Sequence, residues 1–340
     1  MALDNTLTVV IPCRNEEKYI GKCLDSLIAC DFPKDKLSVF VVDGESDDRT
    51  KTIIREYAIK HSQIKLLINK NKTTPLALNL GIENSTSEFV AILGAHAEIS
   101  KNYFSQCVED FQLDNKIGCT GGLLINEYED DVSEVIGMAQ SSSFGVGNAH
   151  FRTGAKSGYV DTVAFGTYRK TTLDEIGVFD EDLVRNQDDE LNYRVIKNGG
   201  KIYLNSSVTA LYYVRGSFSK LYNQYWQYGY WKVYVNQKHK AITTVRQLVP
   251  ALFIAFLVLG LSLSFFSDLM RLLSSLCLLV YLCLAFMFAL QKTKKPSNIH
   301  RVMGSFFILH ISYGLGYWKG ILDFIIKRKG PSEKSESLTR

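Results

Sequence analysis

From residue 7 onward, short apolar runs alternate with longer stretches whose apolar positions recur at helical spacing. Strands and amphipathic helices in alternation are the mark of βα units. Residues 7–11, 37–42, 65–68 and 89–93 are expected strands, with helices at 16–28, 49–60, 75–83 and 103–111. Val39, Phe40, Val41 and Val42 are apolar at every position, which suits a parallel strand covered on both faces. The pattern predicts an α/β fold: an open, mostly parallel sheet with helices on both faces.

Beyond residue 243 the pattern changes. Residues 248–267 and 272–291 each give 20 positions without a charge, enough for a helix of about 30 Å, the thickness of a hydrocarbon core. Two membrane spans joined by a turn at Ser267-Asp268 are expected. Residues 302–318 also lack formal charge but contain His310 and several glycines. They fit either a third span or an interfacial or re-entrant element. Lys292, Lys294, Lys295 and Arg301 form one basic cluster and Lys327, Arg328 and Lys329 another; both ask for the cytoplasmic side, which one crossing between them cannot satisfy. Residues 217–240 carry Tyr222, Tyr225, Trp226, Tyr228, Tyr230, Trp231 and Tyr234 among lysines, a composition suited to a helix at the headgroup level. The expected organisation is a catalytic domain over 1–216, an interfacial amphipathic segment over 217–243, a membrane region over 244–326 and a disordered basic and polar tail over 327–340.

Composition sharpens this division. The 340 residues carry a net charge of +4, yet residues 244–340 hold 12 Lys/Arg against 4 Asp/Glu, so the preceding body is mildly acidic. An acidic body with a basic, apolar tail argues for membrane contact and against nucleic acid as a partner. Seven cysteines without a C-x-x-C pair imply neither a disulfide framework nor a zinc site. The first residues show no basic stretch leading into a long apolar one, so no signal peptide is expected and the body is placed in a reducing cytoplasm.

In open α/β sheets ligands lie beyond the carboxyl ends of the strands. Those positions read Pro12-Cys13-Arg14-Asn15-Glu16-Glu17, Asp43-Gly44-Glu45-Ser46-Asp47-Asp48-Arg49-Thr50 and Gly94-Ala95-His96-Ala97-Glu98, all polar and acidic. Neither G-x-G-x-x-G after the first strand nor G-x-x-x-x-G-K-[ST] anywhere is present, which argues against a dinucleotide dehydrogenase or a P-loop ATPase.

Five motifs in order carry a resemblance: Val10-Ile11-Pro12-x-x-Asn15-Glu16-Glu17, Val42-Asp43-Gly44-x-Ser46-x-Asp48-x-Thr50, Ala77-x-Asn79-x-Gly81, Gly177-x-Phe179-Asp180-Glu181 and Gln187-Asp188-Asp189-Glu190-Leu191-Asn192-x-Arg194. Together they resemble the family 2 glycosyltransferases over residues 7 to about 232. The stretches Ser143–Arg152, Val160-Asp161-Thr162 and Arg185–Glu190 are similar to the membrane-attached succinoglycan-biosynthesis (ExoA-like) type. The resemblance implies a GT-A fold, a nucleotide-diphospho-sugar donor and inversion at the anomeric carbon.

It also implies roles. Pro12, Asn15, Glu16, Asp43, Ser46 and Asn79 would line the nucleotide, with Asp43 accepting the N3–H of uracil; as residues alone, Asp43 and Ser46 read equally well as turn and cap positions. The family's Asp-x-Asp motif after the fourth strand is replaced by Gly94, Ala95 and His96. His96 is the expected metal ligand, and a nitrogen ligand favours Mn²⁺ over Mg²⁺; the alternative is a loop histidine. Glu98 is not expected to join it. Asp188 matches the family's catalytic aspartate and would take the acceptor's hydroxyl proton. Asp189, one residue on, is turned about 100° away on a helix. Glu190 and Arg194 are spaced to pair. Arg152, with His150 and Lys156 in a Gly/Ser loop, is a candidate diphosphate contact, equally readable as a surface charge.

The expectation is a membrane-bound inverting hexosyltransferase, moving sugar from a UDP-sugar to a polyprenyl-linked glycan at the cytoplasmic leaflet during polysaccharide assembly. Two alternatives stand: a catalytically silent scaffold, motivated by Gly94 and His96, and a nucleotidyltransferase.

Overall fold

The computed structural model describes residues 5–154, 156–214 and 216–330; the expectations for the first four residues and for most of the tail fall outside these. Contacts divide the chain into two compact units, 1–125 with 150–213, and 126–149 with 214–340.

The first unit opens with β1 (Leu7–Cys13), α1 (Ile20–Ala29), β2 (Leu37–Asp43), α2 (Thr50–Lys60), β3 (Ile64–Ile68), α3 (Thr74–Glu83) and β4 (Phe89–Ile92). These follow the apolar runs closely, because buried strands between amphipathic helices leave a strong local pattern. β1 pairs in parallel with β2 and with β4, and β2 with β3. Leu7, Val9, Val10 and Ile11 of β1 have no exposed surface; successive residues point to opposite faces, so both faces are covered.

The chain continues through β5 (Ala97–Ile99), α4 (Tyr103–Asp110) and β6 (Ile117–Glu127), then α5 (Asp131–Gln140), α6 (Ser143–Val146) and α7 (His150–Thr153). β7 (Gly158–Val160), β8 (Thr167–Arg169), α8 (Lys170–Ile176), α9 (Gln187–Lys197) and β9 (Lys201–Tyr213) follow. Among the described residues the sheet runs β3-β2-β1-β4-β8-β6-β9-β5, with β7 also on β9. The parallel expectation holds for β1 to β4. Beyond β4 the sheet turns antiparallel, with β8 on β4 and β6, and β5 and β7 on β9. Successive strands step outward from β1 to β3 and then resume at β4 on the other side of β1. That reversal opens the crevice between β1 and β4, where α/β sheets take their ligands.

The second unit contains α5, α6, α10 (Phe218–His239), α11 (Val249–Leu263), α12 (Asp268–Lys292) and α13 (Pro296–Gly320). Helices over Val245–Leu263 and Asp268–Lys292 are, among the described residues, the two long and apolar enough to cross a membrane. Leu252, Val258, Leu272, Leu276 and Leu279 on them are more than half exposed, and Phe265 and Phe266 at their turn more than four-fifths, far more apolar surface than water tolerates. α13, which covers the segment expected as a third span or interfacial element, is a continuous helix packed on α5, α10, α11 and α12.

The aromatic stripe expected at the headgroup level is largely covered by protein. Tyr225, Tyr230, Trp231 and even Lys232 are buried, because α10 lies close against α13. A Cβ added at Gly229 would sit 2.0 Å from the Tyr313 carbonyl, and one at Gly316 2.0 Å from that of Trp226, so the two backbones touch where side chains are missing. His310, which counted against a lipid-facing span, is satisfied internally: Nε2 lies 2.8 Å from the Phe144 carbonyl and Nδ1 3.0 Å from the Tyr281 hydroxyl. Phe144 itself is wedged among Tyr281, Phe288, Phe306 and His310, which explains why 126–149 belongs with the helices.

Candidate active site

The loops following β1 and β2 are zipped together by hydrogen bonds. Asn15 N–H donates to Ser46 Oγ at 2.9 Å, Glu16 N–H to Thr50 Oγ1 at 2.8 Å, and Asp47 N–H to Asn15 Oδ1 at 3.0 Å. Glu17 N–H donates to Asp48 Oδ2, and Arg49 N–H returns to Glu17 Oε2. Asn15 adopts φ +55, a left-handed conformation asparagine tolerates better than most residues. Asp43 is fully buried, and its carboxylate accepts from the Ser46 N–H at 3.0 Å and from the Ser46 hydroxyl. It therefore braces the turn from within. Asn15 is exposed, Pro12 half-buried, and Glu16 and Ser46 buried.

In the turn between β4 and β5, His96 meets the first loop, with Nδ1 3.5 Å from Glu16 Oε1. Its ring meets Tyr212 of β9 edge-on at 5.2 Å, and Tyr212 in turn lies 5.5 Å from the Arg152 guanidinium. Tyr212 thus joins two candidates far apart in sequence. Arg152 Nη1 is buried without a hydrogen-bond partner. An unpartnered buried guanidinium N–H is costly, and an anion is its natural complement. Glu98, two residues on, accepts a hydrogen bond from Tyr213.

α9 begins at Gln187 after Asn186 in a left-handed conformation. Its motif separates a structural carboxylate, Glu190, from Asp188. Arg194 grips Glu190 through Nε at 2.9 Å and Nη2 at 2.8 Å, and also donates to the carbonyls of Ile176, Gly177 and Val178. Asn192 donates to Thr162 at 2.8 Å and accepts from Tyr168 at 3.0 Å. Asp188 remains open to solvent while protein surrounds it on its other sides. That enclosure, and secondarily the Asp189 charge beside it, pushes its carboxyl up to about 6, where a base at neutral pH works well.

Asn79 is drawn elsewhere. Its Nδ2 donates to the Phe179 carbonyl at 2.9 Å and to Glu181 Oε1 at 3.1 Å, and its Oδ1 accepts from Phe179 N–H at 3.0 Å. It clamps the Gly177–Glu181 turn to α3 and has no amide left for a nucleotide. The side chain expected at the nucleotide thus joins two of the matched motifs to each other. The structure thus gathers Glu16, His96 and Arg152, places Asn15 and Ser46 on the adjoining loops, and leaves Asn79 beneath. Tyr212 escaped sequence reasoning, since nothing in its strand marks one tyrosine over another.

Comparison with known proteins fits this arrangement. Residues 8–177, half of the chain, match the family description Glycosyl transferase family 2. The chain belongs to that family. The glycosyltransferase is 29% identical over 328 residues to the dolichyl N-acetyl-α-D-glucosaminyl phosphate 3-β-D-2,3-diacetamido-2,3-dideoxy-β-D-glucuronosyltransferase of Methanococcus voltae, covering 94% of this chain and 98% of the relative. It is 25% identical to the succinoglycan biosynthesis protein ExoA of Rhizobium meliloti, covering 93% and 95%. In fold it is similar to a mannosyltransferase from Pyrobaculum calidifontis, solved with GDP-mannose and Mn²⁺, at a TM-score of 0.62 and 18% identity over 92% of this chain and 89% of that one. The glycosyltransferase therefore has a GT-A-like sheet followed by apolar C-terminal helices.

Proposed function

We propose that the protein is an inverting glycosyltransferase that moves a sugar from a nucleotide-diphospho-sugar, of the UDP class, to a lipid-linked saccharide at the cytoplasmic face of the membrane. The single observation that carries this reading is the set of groups about the crevice: a buried Arg152 Nη1 without a hydrogen-bond partner, the His96–Glu16 pair, and an open carboxylate with a raised pKa on α9. The nucleotide lies along the zipped loops, against Pro12 and Asn15, with Asp43 and Ser46 supporting from beneath. Arg152 takes the diphosphate, opposing the charge that grows as the donor bond breaks. Asp188 accepts the acceptor's hydroxyl proton as that oxygen attacks the anomeric carbon; the bond to the diphosphate breaks on the opposite face, and the configuration inverts.

Among the described residues no group of three His, Cys, Asp or Glu is placed to hold a metal ion. His96 Nδ1 and Glu16 Oε1 offer two donors, too few for a resident ion but suited to a cation that arrives with the diphosphate, Mn²⁺ before Mg²⁺ because one donor is nitrogen. When bound, such an ion would neutralise the leaving diphosphate.

The acceptor assignment draws on the Methanococcus voltae relative, whose name describes transfer to a dolichyl phosphate-linked N-acetylglucosamine, and on the ExoA relative named for succinoglycan biosynthesis. Two membrane-crossing helices with both basic clusters on the cytoplasmic side would hold the enzyme where a polyprenyl-linked glycan presents its sugar. The test is a panel of nucleotide-sugars scored by thermal stabilisation with and without Mn²⁺, since a ligand that binds only the folded state raises its stability, followed by transfer to polyprenyl-linked saccharides. Release of nucleoside diphosphate with an inverted linkage supports the proposal. Release of pyrophosphate would mark a nucleotidyltransferase, and no turnover with any bound donor a scaffold.

A further inference from the structure

Phe165 has no part in the roles above, yet its backbone is one of the least comfortable in the first unit. It adopts φ +50, a left-handed conformation that bulky residues avoid and that persists only where neighbours enforce it. The enforcement is visible. Tyr103, fully enclosed, donates its hydroxyl to the Phe165 carbonyl at 3.3 Å, and the next carbonyl, that of Gly166, accepts from Ile92 N–H at 3.0 Å. A Cβ at Gly166 would lie 2.7 Å from Cys119 Sγ, so the turn cannot simply shift toward the core.

The ring that this strain directs lies over Gly94. A Cβ built on Gly94 would be 3.0 Å and 3.3 Å from Phe165 Cε1 and Cζ, and 3.8 Å from His96 Cε1. The aromatic ring therefore covers the place where any larger residue would put its side chain, and it remains only half-buried. His96 stands at the same Gly94 position, and through Tyr212 it adjoins Arg152, the groups read above as facing the donor's diphosphate. The sugar of the donor is bonded to that diphosphate, so an apolar ring beside these groups is placed to meet it.

We propose that Phe165 is the donor-positioning residue on which the pyranose ring of the nucleotide-sugar rests, and that Gly94 is a glycine so that the ring can lie there. The proposal deepens the donor-site reading above and rests on it. An apolar ring face matches the C–H face of a pyranose and leaves the hydroxyls free to be read elsewhere.

The experiment compares full-length wild type with Phe165→Ala and Phe165→Tyr, titrated with UDP, GDP, UDP-GlcNAc, UDP-glucuronic acid and GDP-mannose, with turnover followed for the best donor. Phe165→Ala should leave the bare nucleoside diphosphate affinity unchanged, weaken the sugar form by up to about tenfold and lower kcat, and Phe165→Tyr should restore both. Gly94→Ala, which pushes on the ring from its other side, should act in the same selective way and serves if Phe165→Ala fails to fold. Equal weakening of bare and sugar nucleotides, or none, overturns the proposal while leaving the donor site standing. Wild type that binds no nucleotide at all overturns the donor-site reading and this proposal with it.

Discussion

The carboxyl of Asp188 makes the proposed chemistry measurable. Enclosure by protein comes first among the causes that raise it to about 6, and the neighbouring charge of Asp189 second. As a general base it works only when ionised, so turnover under saturating donor should fall with unit slope below pH about 6, with about one-tenth of the sites competent at pH 5 and about nine-tenths at pH 7. Asp189→Asn removes the like charge, so the acid limb should move to lower pH while keeping its slope. Asp188→Asn should abolish the limb and lower kcat by about 10²–10⁴-fold. Stability should respond in the opposite sense. Because folding raises this pKa above its unfolded value of about 3.9, the group's contribution favours the folded state below that pH and is lost as pH rises through about 6. Asp188→Asn should therefore raise Tm at pH 7.5 more than at pH 4.5. The assay is nucleoside diphosphate release against pH, with thermal unfolding of the same samples. An acid limb unmoved by Asp189→Asn, or wild-type turnover in Asp188→Asn, would refute the assignment.

Arg152→Gln should weaken nucleoside diphosphate binding in a calorimetric titration and leave Tm without ligand unchanged or higher, since an unpartnered buried N–H is removed. Asn79→Ala strands the buried N–H and carbonyl of Phe179, at a cost of about 1–3 kcal/mol each; thermal unfolding should show Tm lowered by about 10 °C without a change in the pH limb. Gly81→Ala would bring a Cβ to 2.3 Å from Val10 Cγ1, an overpacking worth about 1–3 kcal/mol that the double variant with Val10→Ala should partly relieve in the same measurement.

Much of this molecule is legible in its sequence. Local periodicity determined the βα half and the two apolar helices, because a strand covered on both faces and a helix apolar all round each select their residues one position at a time. Strand ends located the loops after β1, β2 and β4, motif order located the start of α9, and helical spacing gave the Glu190–Arg194 pair. What only the tertiary structure decided depends on partners distant in the chain. Asn79 reads as a site residue until Phe179, 100 positions away, is seen to occupy its amide. Tyr212 gains meaning only between His96 and Arg152. The aromatic face of α10 reads as interfacial because composition cannot tell a ring facing headgroups from one facing α13, and the antiparallel strands β5, β7 and β8 are three residues each, too short for a period to register.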